Sequence, residues 1–155
     1  MTPRRRSVGC ASAHLLAAVL ALAAGPAAAW TFTPVPVCTL DHSAPDGTAR
    51  VTYAPATGIY EITLQRAAGV WPAAPAFSIA FDGPRPLTIA TDRHVRSADG
   101  RTLRVTDTGF GNVLDGLQFN TQAVARAGAV TLRLPLTDAS PAVDAFRACP
   151  ETPLS

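Results

Sequence analysis

RVTYAPATGIYEITL, residues 50–64, is the stretch on which the reading of this chain turns. Val51 and Tyr53 alternate with Arg50 and Thr52. After a Pro55–Gly58 turn, Tyr60, Ile62 and Leu64 alternate with Glu61 and Thr63. A period of two places successive side chains on opposite faces, so each run reads as a half-buried strand with one polar side. Working outward, the same alternation recurs at Phe77, Ile79 and Phe81, at Leu87 and Ile89, at Leu103 and Val105, and at Val130, Leu132, Leu134 and Leu136. Pro135 cannot donate to a ladder, which puts the last of these runs at an edge or a bulge. Pro34 and Pro36 keep the first segment extended.

Two short helices are expected near the C-terminus. Asn120 or Thr121 is placed to cap Gln122–Ala127, with Gly128 at the left-handed position beyond its end. Ser140-Pro141 reads as an N-cap followed by proline at N1, opening a helix through Ala148. Gly111–Phe119 stays open between a helical turn begun at Asn112 and a hairpin turned at Asp115-Gly116. The expected class is α+β: mostly antiparallel sheet or a small sandwich, with two C-terminal helices and one disulfide. An all-β sandwich is the alternative.

The 155 residues contain thirteen arginines, no lysine and eleven acidic side chains. Three of those arginines stand at positions 4–6, ahead of the uninterrupted apolar run Leu15–Ala24 and of Ala27-Ala28-Ala29. A charged start, a short apolar centre and small residues at −3 and −1 form a secretory leader, so residues 1–29 are expected to be cleaved before Trp30. Ten apolar residues span only about half of a ~30 Å hydrocarbon core, which argues against an anchor. Residues 30–155 then form one domain, with ten arginines against eleven acids. The basic balance belongs to the leader, and with no basic face a nucleic-acid binder is excluded. Cys10 leaves with the leader. Cys38 and Cys149 remain, in an oxidising compartment, as one structural disulfide.

The stretch TDRHVRSADGRTLRVTDT, residues 91–108, holds the leading candidates. A three-residue loop Ala98-Asp99-Gly100 would set His94 opposite Arg104 and Val95 opposite Leu103. That register gathers Asp92, His94, Arg96 and Arg104 on one outward face, with Thr102 and Thr106. The strip would suit an anionic ligand or an acidic loop of a partner; the same pattern also describes a solvated face with cross-strand charge pairs. Gly109-Phe110-Gly111-Asn112 is a Gly-rich loop that would offer N–H groups to an anion if a helix follows. The plainer reading is a turn with Phe110 in the core. Leu114 stands where a dinucleotide loop needs a third glycine, and without lysine no phosphate-binding P-loop exists, so no cofactor is expected. Asp41-His42 and Asp46, read as a loop beside Cys38, would form a metal site only with His94 brought close; none is expected. Ser43 or Ser97 with His94 is the one hydrolytic set, to be assembled in space by the fold.

Trp30-Thr31-Phe32 with Cys38-Thr39-Leu40, the block TDRHVRSADGRTLRVTDTGFGNVLDGL and the ending PAVDAFRAC resemble small exported alphaproteobacterial proteins of unassigned function. The order of helix, strand Val130–Leu136 and helix ending in Cys149 is loosely similar to the invasion-associated locus B proteins. The leader implies a periplasmic or secreted location. The expected function is a non-catalytic module contacting an exported or envelope partner through the Asp92/His94/Arg96/Arg104 face or the aromatic arm of Trp30 and Phe32. A small-ligand or anion carrier is the alternative and a hydrolase using His94 the third reading. A DNA-repair nuclease is rejected for want of a nucleotide loop and a basic face. Oligomeric state is left open.

Overall fold

The structure, a computed structural model, describes residues 29–149. The expected leader, residues 1–29, lies outside these but for Ala29. The quoted stretch forms the central hairpin: β3 (Gly47–Ala54) pairs antiparallel with β4 (Ile59–Arg66), Val51 facing Ile62 and Arg50 facing Thr63. The turn closes through Thr57 and Gly58 N–H groups donating to the Ala54 carbonyl, with Gly58 at φ 67°. Around this hairpin a six-stranded antiparallel sheet is built from β1 (Thr31–Thr33), β2 (Cys38–Ala44), β7 (His94–Arg96) and β8 (Thr102–Asp107), in the order β1-β2-β3-β4-β8-β7. A second sheet has the order β10-β9-β5-β6, from β5 (Phe77–Asp82), β6 (Leu87–Thr91), β9 (Gln122–Ala127) and β10 (Val130–Pro135). The sheets face each other, with β10 packed across β2 and β3. The result is a sandwich-like antiparallel β protein with two helices.

Asp41 and His42, expected in a loop, are in β2. Its even positions 38, 40 and 42 turn inward, and the His42 ring stacks on Trp30 at 4.6 Å. Trp30 is itself buried, its indole N–H donating to the Pro135 carbonyl. Phe32 packs edge-on against Phe146. Trp30 is thus core, and half-buried Phe32 packs against it. Pro135 does lie on an edge strand, as its missing N–H requires.

The expected helix at Gln122–Ala127 is a strand. Ala123, Ala125 and Ala127 all point into the core, between the Leu134, Leu132 and Val130 side of β10 and the Phe81, Ile79 and Phe77 side of β5. Alanine's helix propensity is a weak local preference, and here the narrow space between two rows of larger side chains outweighs it. Gly128, at φ 55°, makes the two-residue turn into β10 instead of ending a helix. Asn120 serves a different helix. Gly111–Phe119 is α1, and Asn120 follows it, donating to the Gly116 carbonyl and accepting from the Arg85 N–H.

Helix α1 buries Val113, Leu114 and Leu117, and begins at Phe110 rather than at an Asn112 cap. Its Gly116 lies against the Phe81 ring, so closely that a Cβ built there would sit 2.5 Å from ring carbons. Alanine would gain roughly 0.5–1 kcal/mol of helix preference over glycine. Overpacking costs typically about 1–3 kcal/mol, so Gly116→Ala is expected to destabilise on balance. Urea unfolding checks this, and adding Phe81→Leu should recover much of the loss; a G116A protein more stable than wild type would mean the ring yields freely.

Helix α2 (Ala139–Ala148) starts one residue before the expected cap. Asp138, in the left-handed region at φ 59°, is the cap residue, and Ser140 and Pro141 fall within the first turn, where proline's missing N–H is no loss. Val143 and Phe146 are buried, and Cys149 at the helix end bridges to Cys38 across 111 residues.

Candidate functional site

The β7–β8 hairpin decides where the candidate residues point. His94 faces Val105, Val95 faces Arg104 and Arg96 faces Leu103, one residue out of the expected register. The loop holds four residues, not three. The Ser97 N–H donates to the Thr102 carbonyl, the Thr102 N–H donates to Ser97 Oγ, and Asp99 accepts from both the Ser97 hydroxyl and the Arg101 N–H. Those bonds, the Ser97 hydroxyl first, hold the Asp99 carboxyl below its ordinary range. Because side chains alternate, a one-residue slip turns every β7 side chain over.

The expected strip therefore comes apart. Arg104 faces outward, 3.7 Å from Glu61, with exposed Val95 as its neighbour. His94 turns toward the sandwich interior, its ring 6.1 Å from Phe77 and its buried Nδ1 without a hydrogen-bond partner. Arg96 donates to the Trp71 carbonyl, and Asp92 is exposed in the connection before β7. Arg96 belongs to a clasp: Arg66 donates to the Val70 carbonyl, and Arg101 to the carbonyls of Arg66 and Ala67. Together the three guanidinium groups hold the β4–β5 connection, and Trp71 with it, against the hairpin.

The Gly109–Asn112 loop also differs from an anion cradle. Phe110 is buried as the plainer reading has it, while Gly111 and Asn112 are exposed. The Asp107 carboxylate already takes the Thr108 N–H and pairs with Arg93 at 2.7 Å. The Thr108 N–H foremost, then Arg93, holds the Asp107 carboxyl below its ordinary range. Gly109 and Phe110 instead help line an apolar cleft of about 130 Å³ between the two sheets.

The outward face of the six-stranded sheet is where polar groups do assemble. The register lines them up in rows across the strands. One row runs Thr39, Thr52, Glu61, Thr106; the next Asp41, Arg50, Thr63, Arg104; the third Ser43, Thr48, Gln65, Thr102. Asp41 pairs with Arg50 at 2.6 Å, and that bond raises the arginine pKa. Two open clefts mark this side, about 460 Å³ around Asp41, Thr48, Arg50 and Gln65, and about 220 Å³ around Val95, Ser97, Thr102 and Arg104, both bordered by Thr63. Hydroxyl, amide, guanidinium and carboxylate groups here can donate to and accept from a polar partner along a flat surface. Of these residues Arg104, with Thr102 and Thr106, stood on the expected strip, and Asp41 and Ser43 were weighed for other chemistry. The outward set was present in the alternation, but rows across strands need the register.

Among the described residues no three His, Cys, Asp or Glu side chains converge as a metal site, and no helix is long and apolar enough to cross a membrane. No sequence family, curated protein or solved structure matches this chain.

Proposed function

We propose that this chain is an exported, disulfide-closed recognition module, non-catalytic, which contacts an exported or envelope partner through the outward face of its six-stranded sheet. The observation that carries the reading is the pair of clefts that share Thr63 on a sheet face lined by cross-strand rows of polar groups. Exposed Val95 adds an apolar contact beside Arg104. The leader-like start and the cysteine pair support a periplasmic or secreted location.

The test suits the composition. The chain has no lysine, so amine-directed crosslinkers would reach little beyond its N-terminus. A photoreactive residue at Val95 avoids that limit. The expected result is one specific product from the cell envelope, lost in a Thr63→Glu/Arg104→Glu protein with unchanged melting. It should be retained in Arg126→Glu/Arg133→Glu, which alters the outer face of the other sheet. Capture indifferent to position 63 and 104 would remove this face from the reading, and a mature protein still carrying residues 1–29 would remove export.

A further inference from the structure

The four edge strands of the two sheets are not equally protected. β1 and β7 are three residues long, and β10 carries Pro135, whose carbonyl is already taken by Trp30. Short length and proline are the usual guards against strand addition. β6, Leu87-Thr88-Ile89-Ala90-Thr91, has none of them: it is uncharged, free of proline and five residues long. Its ladder is to β5 alone, and among the described residues no other backbone bond reaches it. An unguarded row of N–H and C=O groups is a hazard unless it is used.

Beside this edge lies the mostly apolar cleft of about 130 Å³, walled by β6, β5, β4, β8 and the start of α1. Ile89 and Thr91 stand at its β6 side, Val105 and Asp107 at its β8 side, and Phe77 and Phe110 among its walls. Its size is close to the roughly 150 Å³ apolar cavity that accepts a benzene ring, which makes it a seat for one aliphatic or aromatic side chain. A strand added antiparallel to β6 would place the residue opposite Ile89 on the same face as Ile89, over this seat.

The charges flanking β6 discriminate between occupants. Arg85 lies four residues before Ile89 and Arg93 four after. A second copy pairing about Ile89 would bring Arg85 near Arg93 of the other copy just beyond each end of the paired strands, where like charges repel. A foreign strand with carboxylates at those positions meets the opposite condition: Arg93 is exposed although paired with Asp107, and Arg85 is stacked over Phe119. We infer that β6 is a strand-addition site for an extended peptide of another protein, with an apolar residue seated in the cleft and acidic residues four positions to either side. This site is separate from the outward sheet face.

The probe is the peptide Glu-Thr-Val-Thr-Leu-Thr-Val-Thr-Glu, followed by amide NMR on the labelled residue 30–155 protein. Expected are shifts and slowed amide exchange confined to β6 and the cleft, and at least about tenfold weaker binding when the central Leu is replaced by Ser, as burial of one such side chain implies. Arg93→Glu should weaken binding and Ile89→Arg should abolish it; the exposed position of Arg93 keeps the first variant informative if the second unfolds. Thr63→Glu/Arg104→Glu should leave binding unchanged, which separates this inference from the outward-face reading. Failure to bind, binding indifferent to the central Leu, or concentration-dependent β6 shifts without peptide, which would make a second copy the occupant, each overturn it.

Discussion

Removing the Cys38–Cys149 bridge is expected to cost the domain about 2–5 kcal/mol, the range seen when small domains lose a native disulfide. The bridge spans 111 residues. Chain entropy alone assigns about 5 kcal/mol to a loop of this length, an upper figure because strain and residual structure reduce it. The site adds a packing component, since both cysteines are buried and Cys149 follows the helix that carries Phe146 into the core. Each kcal/mol corresponds to roughly 3–6 °C of melting temperature at this size, so the midpoint should fall by about 6–30 °C. A Cys38→Ala/Cys149→Ala protein is the cleaner comparison, because a buried bridge resists reductant until the domain opens. A variant melting with wild type would show that the bridge contributes nothing to the folded state.

Trp71→Ala should be of similar size, about 3–5 kcal/mol, as for other large aromatic truncations. Trp71 lies outside every strand, in the connection between β4 and β5, yet none of its surface reaches solvent. Its indole N–H donates to the Leu64 carbonyl, and its ring meets Phe77 edge-on while Arg66 lies over it at 5.9 Å. Its backbone is held on both sides, the N–H donating to the Gly100 carbonyl and the carbonyl accepting from Arg96. Truncation leaves a cavity and removes the indole bond to the Leu64 carbonyl together. Trp71→Phe should keep most of the packing and lose only the Leu64 bond, costing about 1–3 kcal/mol. Equal losses in W71A and W71F, measured by urea unfolding, would put the whole effect in the hydrogen bond.

The contrast between Trp71 and the strands shows what was legible. Wherever one face meets the core and the other meets solvent, as in 50–64, alternation alone names the strand and its inward residues. β9 escaped because its inward residues are alanines, whose place depends on Leu134 and Phe81, residues distant in sequence. Helix α1 stayed ambiguous because Gly116 weakens it locally, and the reason for that glycine is the Phe81 ring from another element. The candidate strip failed on a single residue of loop length. Ala98-Asp99-Gly100 suits a three-residue loop by its turn chemistry, but the bonds of Ser97 and Asp99 lengthen it by Arg101. Sheet order, finally, lies outside any local pattern: the pairing of β5 with β9 and of β4 with β8 creates both the outward rows and the cleft beside β6.

The guanidinium clasp has an alkaline consequence. Arg66, Arg96 and Arg101 hold four backbone carbonyls, Arg66, Ala67, Val70 and Trp71, without any lysine among them. An ammonium group in the same role would begin to lose its proton near pH 10, whereas a guanidinium keeps its charge beyond about pH 12. The fastening of the long connection over the sandwich is therefore insensitive to base across the range in which lysine-held loops let go. In strongly alkaline surroundings Trp71 stays seated, while Tyr60 is slow to ionise because its burial, and then Tyr53 beside it, raise its pKa.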